Sequence, residues 1–159
     1  MKQDVNYITE EKQKELEREL LDLKGMKRKE ILEALAYAKS LGDLSENAEY
    51  HQAREDQGKL EERIAKIEQI LQSSQVVSGG GGDTVEIGSK VTVLKDGKKD
   101  EQQEEKTYQV VGSEEADMSQ GKISNRSPFG QALFGKKKGD TVSFETPNGT
   151  VKYKIVKVF

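Results

Sequence analysis

Two hydrophobic periods divide the chain. Up to about residue 75 apolar positions recur at helical spacing, and beyond about residue 83 they alternate. In the first part Leu16, Leu20 and Leu23 recur at steps of four and three, and the stripe resumes with Ile31, Leu35 and Ala38 after a stutter at Gly25-Met26-Lys27. The spacing predicts one helix over residues 9–41, with Thr9 as its N-cap and Glu10 and Glu11 at the positive end of the helix dipole. Gly25 costs roughly 1 kcal/mol against alanine and admits a bend. A second helix is predicted over residues 45–75. There Tyr50, Ala53, Gln57, Leu60, Ile64, Ile67 and Leu71 form the seam of a coiled coil. Only a short turn at Gly42 separates the helices, so they pair antiparallel. At about 1.5 Å per residue the hairpin is roughly 45 Å long. The small residues Ala34, Ala38, Ala48 and Ala53 predict a slim tip.

Ser78-Gly79-Gly80-Gly81-Gly82-Asp83 reads as a flexible linker. It divides a helical hairpin domain, residues 1–77, from a second domain, residues 84–159. In the second domain residues 85–87, 90–94, 107–111, 141–145 and 151–156 alternate as strands, and Pro147-Asn148-Gly149 marks a hairpin turn. Ser127 and Pro128 form an N-cap and N1 pair that opens a short helix. Residues 98–106 read as a polar, solvated hairpin loop. The fold class is α+β: an antiparallel helical hairpin followed by a small, bent β-sheet domain with one short helix.

Of 159 residues, 33% are hydrophobic and 35% charged, which suits a thin solvated element with a small core better than a single globule. Cysteine is absent and His51 is the only histidine, which removes disulfides and zinc sites of the cysteine or histidine-cluster kind. The absence of cysteine fits a reducing cytoplasm. The start, Met1-Lys2-Gln3-Asp4, lacks a signal-peptide pattern, and no apolar run reaches membrane-spanning length, so no membrane partner is expected. Net charge is −3. Residues 1–75 carry 13 Lys/Arg against 17 Asp/Glu, giving −4, and residues 76–159 carry 13 against 12, giving +1. The acidic hairpin does not suit a long nucleic-acid groove or a dedicated DNA binder.

At the hairpin tip stands Gly42-Asp43-Leu44-Ser45-Glu46-Asn47-Ala48-Glu49-Tyr50. Asp43 and Glu46 lie three apart at the far end of a thin element, where a carboxylate can be delivered into another molecule's active site. The spacing Asp43-x-x-Glu46 also has the form of a capping box, and Ser45 is an alternative N-cap. Spacing alone leaves capping and metal or catalytic work both open.

The tip run, continued by Ala53-Arg54 and Gln57, resembles the bacterial Gre transcript-cleavage factors of the GreA type. The second half is similar to the same family at Asp83-Thr84-Val85-Glu86-Ile87-Gly88-Ser89-Lys90-Val91-Thr92-Val93, at Val111-Gly112-Ser113-Glu114-Glu115-Ala116-Asp117, at Ile123-Ser124-Asn125-Arg126-Ser127-Pro128 and at Gly135-Lys136. The four consecutive glycines of the linker depart from the family pattern.

The resemblance implies an accessory factor rather than an enzyme. Its hairpin would enter the secondary channel of bacterial RNA polymerase, and its second domain, FKBP-like in fold, would dock at the rim as a monomer. It would stimulate the polymerase's own cleavage of backtracked RNA at the nascent 3′ end. Asp43 and Glu46 fall on the family's two acidic tip positions and would share a second Mg²⁺ with the polymerase. Mg²⁺ is hard, keeps its waters and favours carboxylates plus phosphate oxygens, so two carboxylates alone would bind it weakly. Asn47, Tyr50 and Arg54 near the tip, and Ser127, Pro128 and Phe129 in the second domain, are the expected contacts to RNA or polymerase. DNA binding is a further expectation from the resemblance.

Each of these residues also has a plainer reading. Tyr50 starts the seam and packs; Arg54 is solvated; Ser127 to Phe134 close the sheet as a core helix. His51 is expected on an exposed helix face without a chemical role. The cluster Lys27-Arg28-Lys29 either meets RNA or is a solvated charge run, and Lys136-Lys137-Lys138 is a solvated loop. Three other functions compete: a channel-binding inhibitor of the same shape, a prolyl isomerase suggested by the second domain, and a coiled-coil chaperone. The inhibitors carry a different acidic tip, few aromatics are available for a proline pocket, and a chaperone leaves the tip acids without purpose.

Overall fold

The computed structural model describes residues 5–96 and 104–159. The predicted loop at residues 98–106 therefore lies largely outside the described residues. By its internal contacts the chain forms two compact units, Gln13–Ser73 on one hand and Met1–Lys12 with Ser74–Phe159 on the other.

The first unit is the expected helical hairpin. Its outgoing limb comprises α1 (Glu10–Asp22), a π-helical turn (Leu23–Lys27) and α2 (Arg28–Ser40), and its return limb is α3 (Ala48–Ser73). The π turn falls on the stutter at Gly25-Met26-Lys27. The wider turn takes up the residue that breaks the apolar period, so Leu16 before it and Leu35 and Ala38 after it are all buried. On α3 the buried residues are Ala53, Leu60, Ile64, Ile67 and Ile70. Ile70 therefore replaces the expected Leu71 at the end of the seam, while Tyr50 and Gln57 are half-buried. Ala38 and Ala53 are buried near the turn, but Ala34 and Ala48 face solvent. The limbs are also joined by charge: Arg28 forms a two-pronged pair with Glu61 at 3.0 and 2.9 Å, Arg63 does so with Glu19 at 2.7 and 2.8 Å, and Lys24 meets Glu68. Lys27 and Lys29 face Glu30 and Glu33 on their own limb. The basic cluster is thus matched by acids.

The second unit is built on a five-stranded sheet. Its strands are β3 (Lys90–Lys95), β4 (Lys106–Val111), β5 (Lys122–Ser124), β6 (Thr141–Thr146) and β7 (Gly149–Val158), in the order β5-β4-β3-β7-β6. All pairs are antiparallel except β4 with β5, and a register shift between Thr92 and Val93 interrupts the β3–β7 ladder. Pro147 and Asn148 close the β6–β7 hairpin between paired Thr146 and Gly149, as the turn signal predicts. The short helix α4 (Pro128–Leu133) has Pro128 in its first turn, and its N-cap Ser127 accepts from the Gly130 N–H at 3.1 Å. Val85, Val91, Val93, Val110, Ile123, Phe129, Leu133, Val142 and Ile155 form the core, each contributing about 1.5–3 kcal/mol by burial at the size of a Val, Leu or Phe side chain.

Three expectations need correction. Residues 85–87 are not a strand: only Thr84 bridges, to Lys137, and the chain then turns. The second helix does not run to residue 75. It stops at Ser73, and β2 (Ser74–Val77) pairs in parallel with β1 (Asn6–Thr9), an element absent from the sequence reading. Thr9 ends β1 and also caps α1, accepting from the Lys12 N–H at 3.2 Å. The glycine run is no free tether, because residues 78–83 belong to the second unit. A Cβ at Gly79 would fall on the Ile87 carbonyl, and Gly80 and Gly81 have φ of 106° and 87°.

The N-terminal strand is fastened within this unit by the buried Glu115. Its carboxylate accepts from the Thr9 N–H at 3.1 Å and from the Thr9 hydroxyl at 2.7 Å, with Lys122 Nζ at 3.7 Å. Tyr7 passes so close to Gly112 that a Cβ there would overlap the Tyr7 carbonyl.

Candidate functional site

The tip is the loop 42–47 between Leu41, the C-cap of α2, and the start of α3. Leu41 closes α2 by donating to the Ala38 carbonyl at 3.2 Å, and Gly42 reverses the chain with φ of 116°, a value open to glycine. The cap of α3 is Asn47. Its Oδ1 accepts from the Tyr50 N–H at 3.1 Å, the N-cap to N3 bond, and its Nδ2 donates to the Ala38 carbonyl at 2.6 Å. One amide therefore caps the return helix and satisfies a carbonyl at the end of the outgoing one.

This arrangement removes the capping reading of Asp43 and Glu46. Neither residue caps the helix, and neither does Ser45. Asp43 instead folds the loop on itself: its Oδ1 accepts from the Ser45 N–H at 3.0 Å and from the Ser45 hydroxyl at 2.9 Å. These donors, the backbone one first, hold the Asp43 carboxyl below its ordinary range, so it is a carboxylate at neutral pH. Glu46 is exposed and has no hydrogen-bond or ion-pair partner among the described residues. Asp43 and Glu46 line one open hollow together with Leu41, Asn47, Ala48 and Glu49. Among the described residues no group of three or more potential metal-binding side chains occurs. The pair can thus supply hard oxygen ligands to a cation, but an outside molecule must complete the coordination.

The flanking candidates are distributed as follows. Tyr50 is half-buried, and its ring meets the His51 ring edge-on with centroids 5.7 Å apart. Arg54 is exposed and donates to Gln57 Oε1 at 3.1 Å, one turn on. Asn47, expected as an outward contact, has its amide engaged within the hairpin. Its capping role was available from sequence, since Asn is a preferred N-cap and position 50 lies three residues on, but Asp43 and Ser45 offered the same signal.

In the second unit Ser127 is half-buried and Pro128 exposed. Phe129 is not the surface residue expected: it is 8% exposed and belongs to the core. It stacks on Phe144 at 4.6 Å and Tyr153 at 5.1 Å, and meets Tyr108 edge-on at 5.2 Å. The helix is amphipathic, so the aromatic next to its N-cap turns inward while Phe134 beyond its end remains 51% exposed. Phe134 lines a hollow with Tyr7, Ile87, Asn125 and Gln131. No helix of the described residues is long and apolar enough to cross a membrane.

Comparison with known proteins agrees with the resemblance drawn from the tip. Residues 6–76 match the family described as the N-terminal domain of transcription elongation factors, and residues 80–159 match the C-terminal domain of GreA/GreB. The transcription elongation factor GreA of Clostridium acetobutylicum is 48% identical over 161 residues, covering 99% of each chain. That of Acidiphilium cryptum is 47% identical over 145 residues, covering 90% of each. Among solved structures, GreA factor homolog 1 of Thermus thermophilus is 26% identical, with 98% of this chain and 99% of that one covered and a TM-score of 0.41. The chain belongs to the GreA/GreB family of transcription elongation factors.

Proposed function

We propose that this chain is a transcript-cleavage factor that lends two carboxylates to RNA polymerase. The hairpin enters the secondary channel and presents Asp43 and Glu46 to a backtracked RNA 3′ end. The polymerase, not this chain, is the enzyme. One observation carries the reading: Asn47 does the capping, so Glu46 is left without a partner among the described residues and Asp43 is engaged by Ser45 alone, through one of its two oxygens. A hairpin needing only a turn has no use for a second carboxylate without a partner, yet among the described residues Glu46 has none.

The two carboxylates fit a shared Mg²⁺, being hard, exposed and too few to form a cage alone. When bound between factor and polymerase, Mg²⁺ supplies positive charge to a phosphodiester under attack by water. Asp43, kept ionised by Ser45, offers oxygen ligands without first losing a proton. Glu46, without an internal partner among the described residues, is available to hold the metal or orient the attacking water. Arg54 offers an exposed cation to RNA phosphate or to the channel wall, and Tyr50 an aromatic edge. Ser127 and Pro128, at the start of α4, belong to the surface that docks at the channel rim, while the buried Phe129 only supports them. The factor acts in the cytoplasm as a monomer on the polymerase.

The test uses a backtracked bacterial elongation complex with labelled 3′-extruded RNA and Mg²⁺. Wild-type protein is expected to release short 3′ fragments rapidly. Asp43→Asn with Glu46→Gln is expected to bind equally well and release none. Normal cleavage by the double variant refutes metal sharing, and wild-type binding without cleavage identifies an inhibitor instead.

A further inference from the structure

Ser45 is the centre of hydrogen bonding in the acidic loop. Its N–H and hydroxyl both donate to Asp43, and its own carbonyl lies 3.3 Å from Nε2 of His51. A carbonyl only accepts, so this contact requires the proton on Nε2. His51 is in turn fixed by α3. Its N–H donates to the Asn47 carbonyl at 3.1 Å, and its ring stands edge-on to the half-buried Tyr50 at an interplanar angle of 63°. The helix holds His51, His51 holds Ser45, and Ser45 holds Asp43.

Nothing in the packing of the hairpin requires an imidazole here. His51 is exposed and lies outside the apolar seam, and it is the only histidine in the chain. The one polar contact of its side chain among the described residues is to the residue that orients Asp43. A carboxylate on a free loop samples many directions, whereas delivery into a foreign active site needs one.

We infer that His51 is a positioning residue for the tip, which aims the Asp43 carboxylate by pinning Ser45 to the first turn of α3. The inference rests on the cleavage reading above. It predicts an effect on the rate of the assembled complex rather than on assembly, because His51 sets the loop's direction and not the hairpin's packing.

The experiment measures RNA cleavage in backtracked complexes against factor concentration for wild type, His51→Phe, His51→Gln and the Asp43→Asn/Glu46→Gln double variant. Phenylalanine keeps a ring edge against Tyr50 and loses the donor, and glutamine keeps an N–H donor without the ring. A lost hydrogen bond of ordinary strength corresponds to about a fivefold effect. His51→Phe is therefore expected to lower the saturating rate about fivefold with the half-saturating concentration unchanged, and His51→Gln to stay within about twofold of wild type. Equal loss in both His51 variants, or a rise in half-saturating concentration alone, overturns the positioning role. So does a wild-type rate for His51→Phe while the double variant is dead, and that result leaves the cleavage reading standing. Full activity of the double variant refutes the cleavage reading, and the inference with it.

Discussion

Asn47 Nδ2 donates to the Ala38 carbonyl at 2.6 Å, across the turn that separates the two limbs of the hairpin. The same side chain caps α3 through Tyr50. Two independent bonds meet in one amide, so graded substitution separates them. Asn47→Ser keeps a capping oxygen and loses the reach to Ala38, at a cost of about 1 kcal/mol. Asn47→Ala loses both, at about 2 kcal/mol. Urea unfolding should rank wild type above serine above alanine. Equal midpoints for serine and wild type would mean that the bond across the turn contributes nothing.

The loop between these caps makes a second prediction. Asp43 is held below the ordinary aspartate value of 3.8 by the backbone and hydroxyl donors of Ser45. Its folded-state value lies below its unfolded one. What the interaction contributes to stability is therefore complete above the unfolded value and lost as pH falls through the folded one. Around neutral pH the carboxylate is fully ionised. Ser45→Ala removes the hydroxyl donor and leaves the backbone one, so Asp43 should titrate higher than in wild type, though still below 3.8. Carboxyl-carbon NMR across the acid range reads this directly, and an unchanged midpoint would show that the hydroxyl does not bind Asp43 in solution.

Local signals explain what the sequence revealed and what it hid. Leu16, Leu35, Leu60, Ile64 and Ile67 repeat at helical spacing, and a period is visible wherever an element is long enough to show one. Val91 and Val93 alternate in the same legible way, and the stutter at Gly25 announced a disturbance, though not that it would be a π turn. By contrast β1 and β2 have four residues each and pair in parallel although the whole hairpin separates them in sequence, so neither carries a period. Glu115 stood in the sequence only within a run that resembles the family, because the partner that makes it structural, Thr9, lies 106 positions away. At the tip the composition was legible and the division of labour was not: Asp43, Ser45 and Asn47 are all good caps, and only geometry selects Asn47.

The glycine run gives a third prediction, because its members are not equivalent. A methyl group at Gly79 would collide with the Ile87 carbonyl and the Gly88 backbone, whereas one at Gly82 meets nothing within 4 Å and needs no left-handed backbone. Gly79→Ala should destabilise by about 1–3 kcal/mol, as overpacking does. Gly82→Ala should be neutral, or stabilising by up to about 1 kcal/mol through the unfolded chain. Thermal unfolding of the pair decides it. Equal tolerance at both positions would restore the reading of residues 78–83 as a plain tether.

Glu115 carries the last prediction. Its side chain is 1% exposed, so the Thr9 N–H and the Thr9 hydroxyl lose their acceptor at a buried site if the carboxylate goes, while Lys122, 24% exposed, can turn to solvent. Removing one side of a buried charged network leaves the other side uncompensated, and Glu115→Ala should destabilise by about 3 kcal/mol. Glu115→Gln keeps an acceptor oxygen and should lose about half as much. The loss should be local before it is global, because Glu115 holds β1 and not the five-stranded sheet. Hydrogen exchange should show the Ile8 and Thr9 amides losing protection while those of Val91 and Val110 keep theirs. Salt should change little, since a buried carboxylate lies beyond effective screening by mobile ions. Uniform loss of protection would instead make Glu115 part of the core's own stability, and no loss at Thr9 would remove it as the fastening of the N-terminal strand.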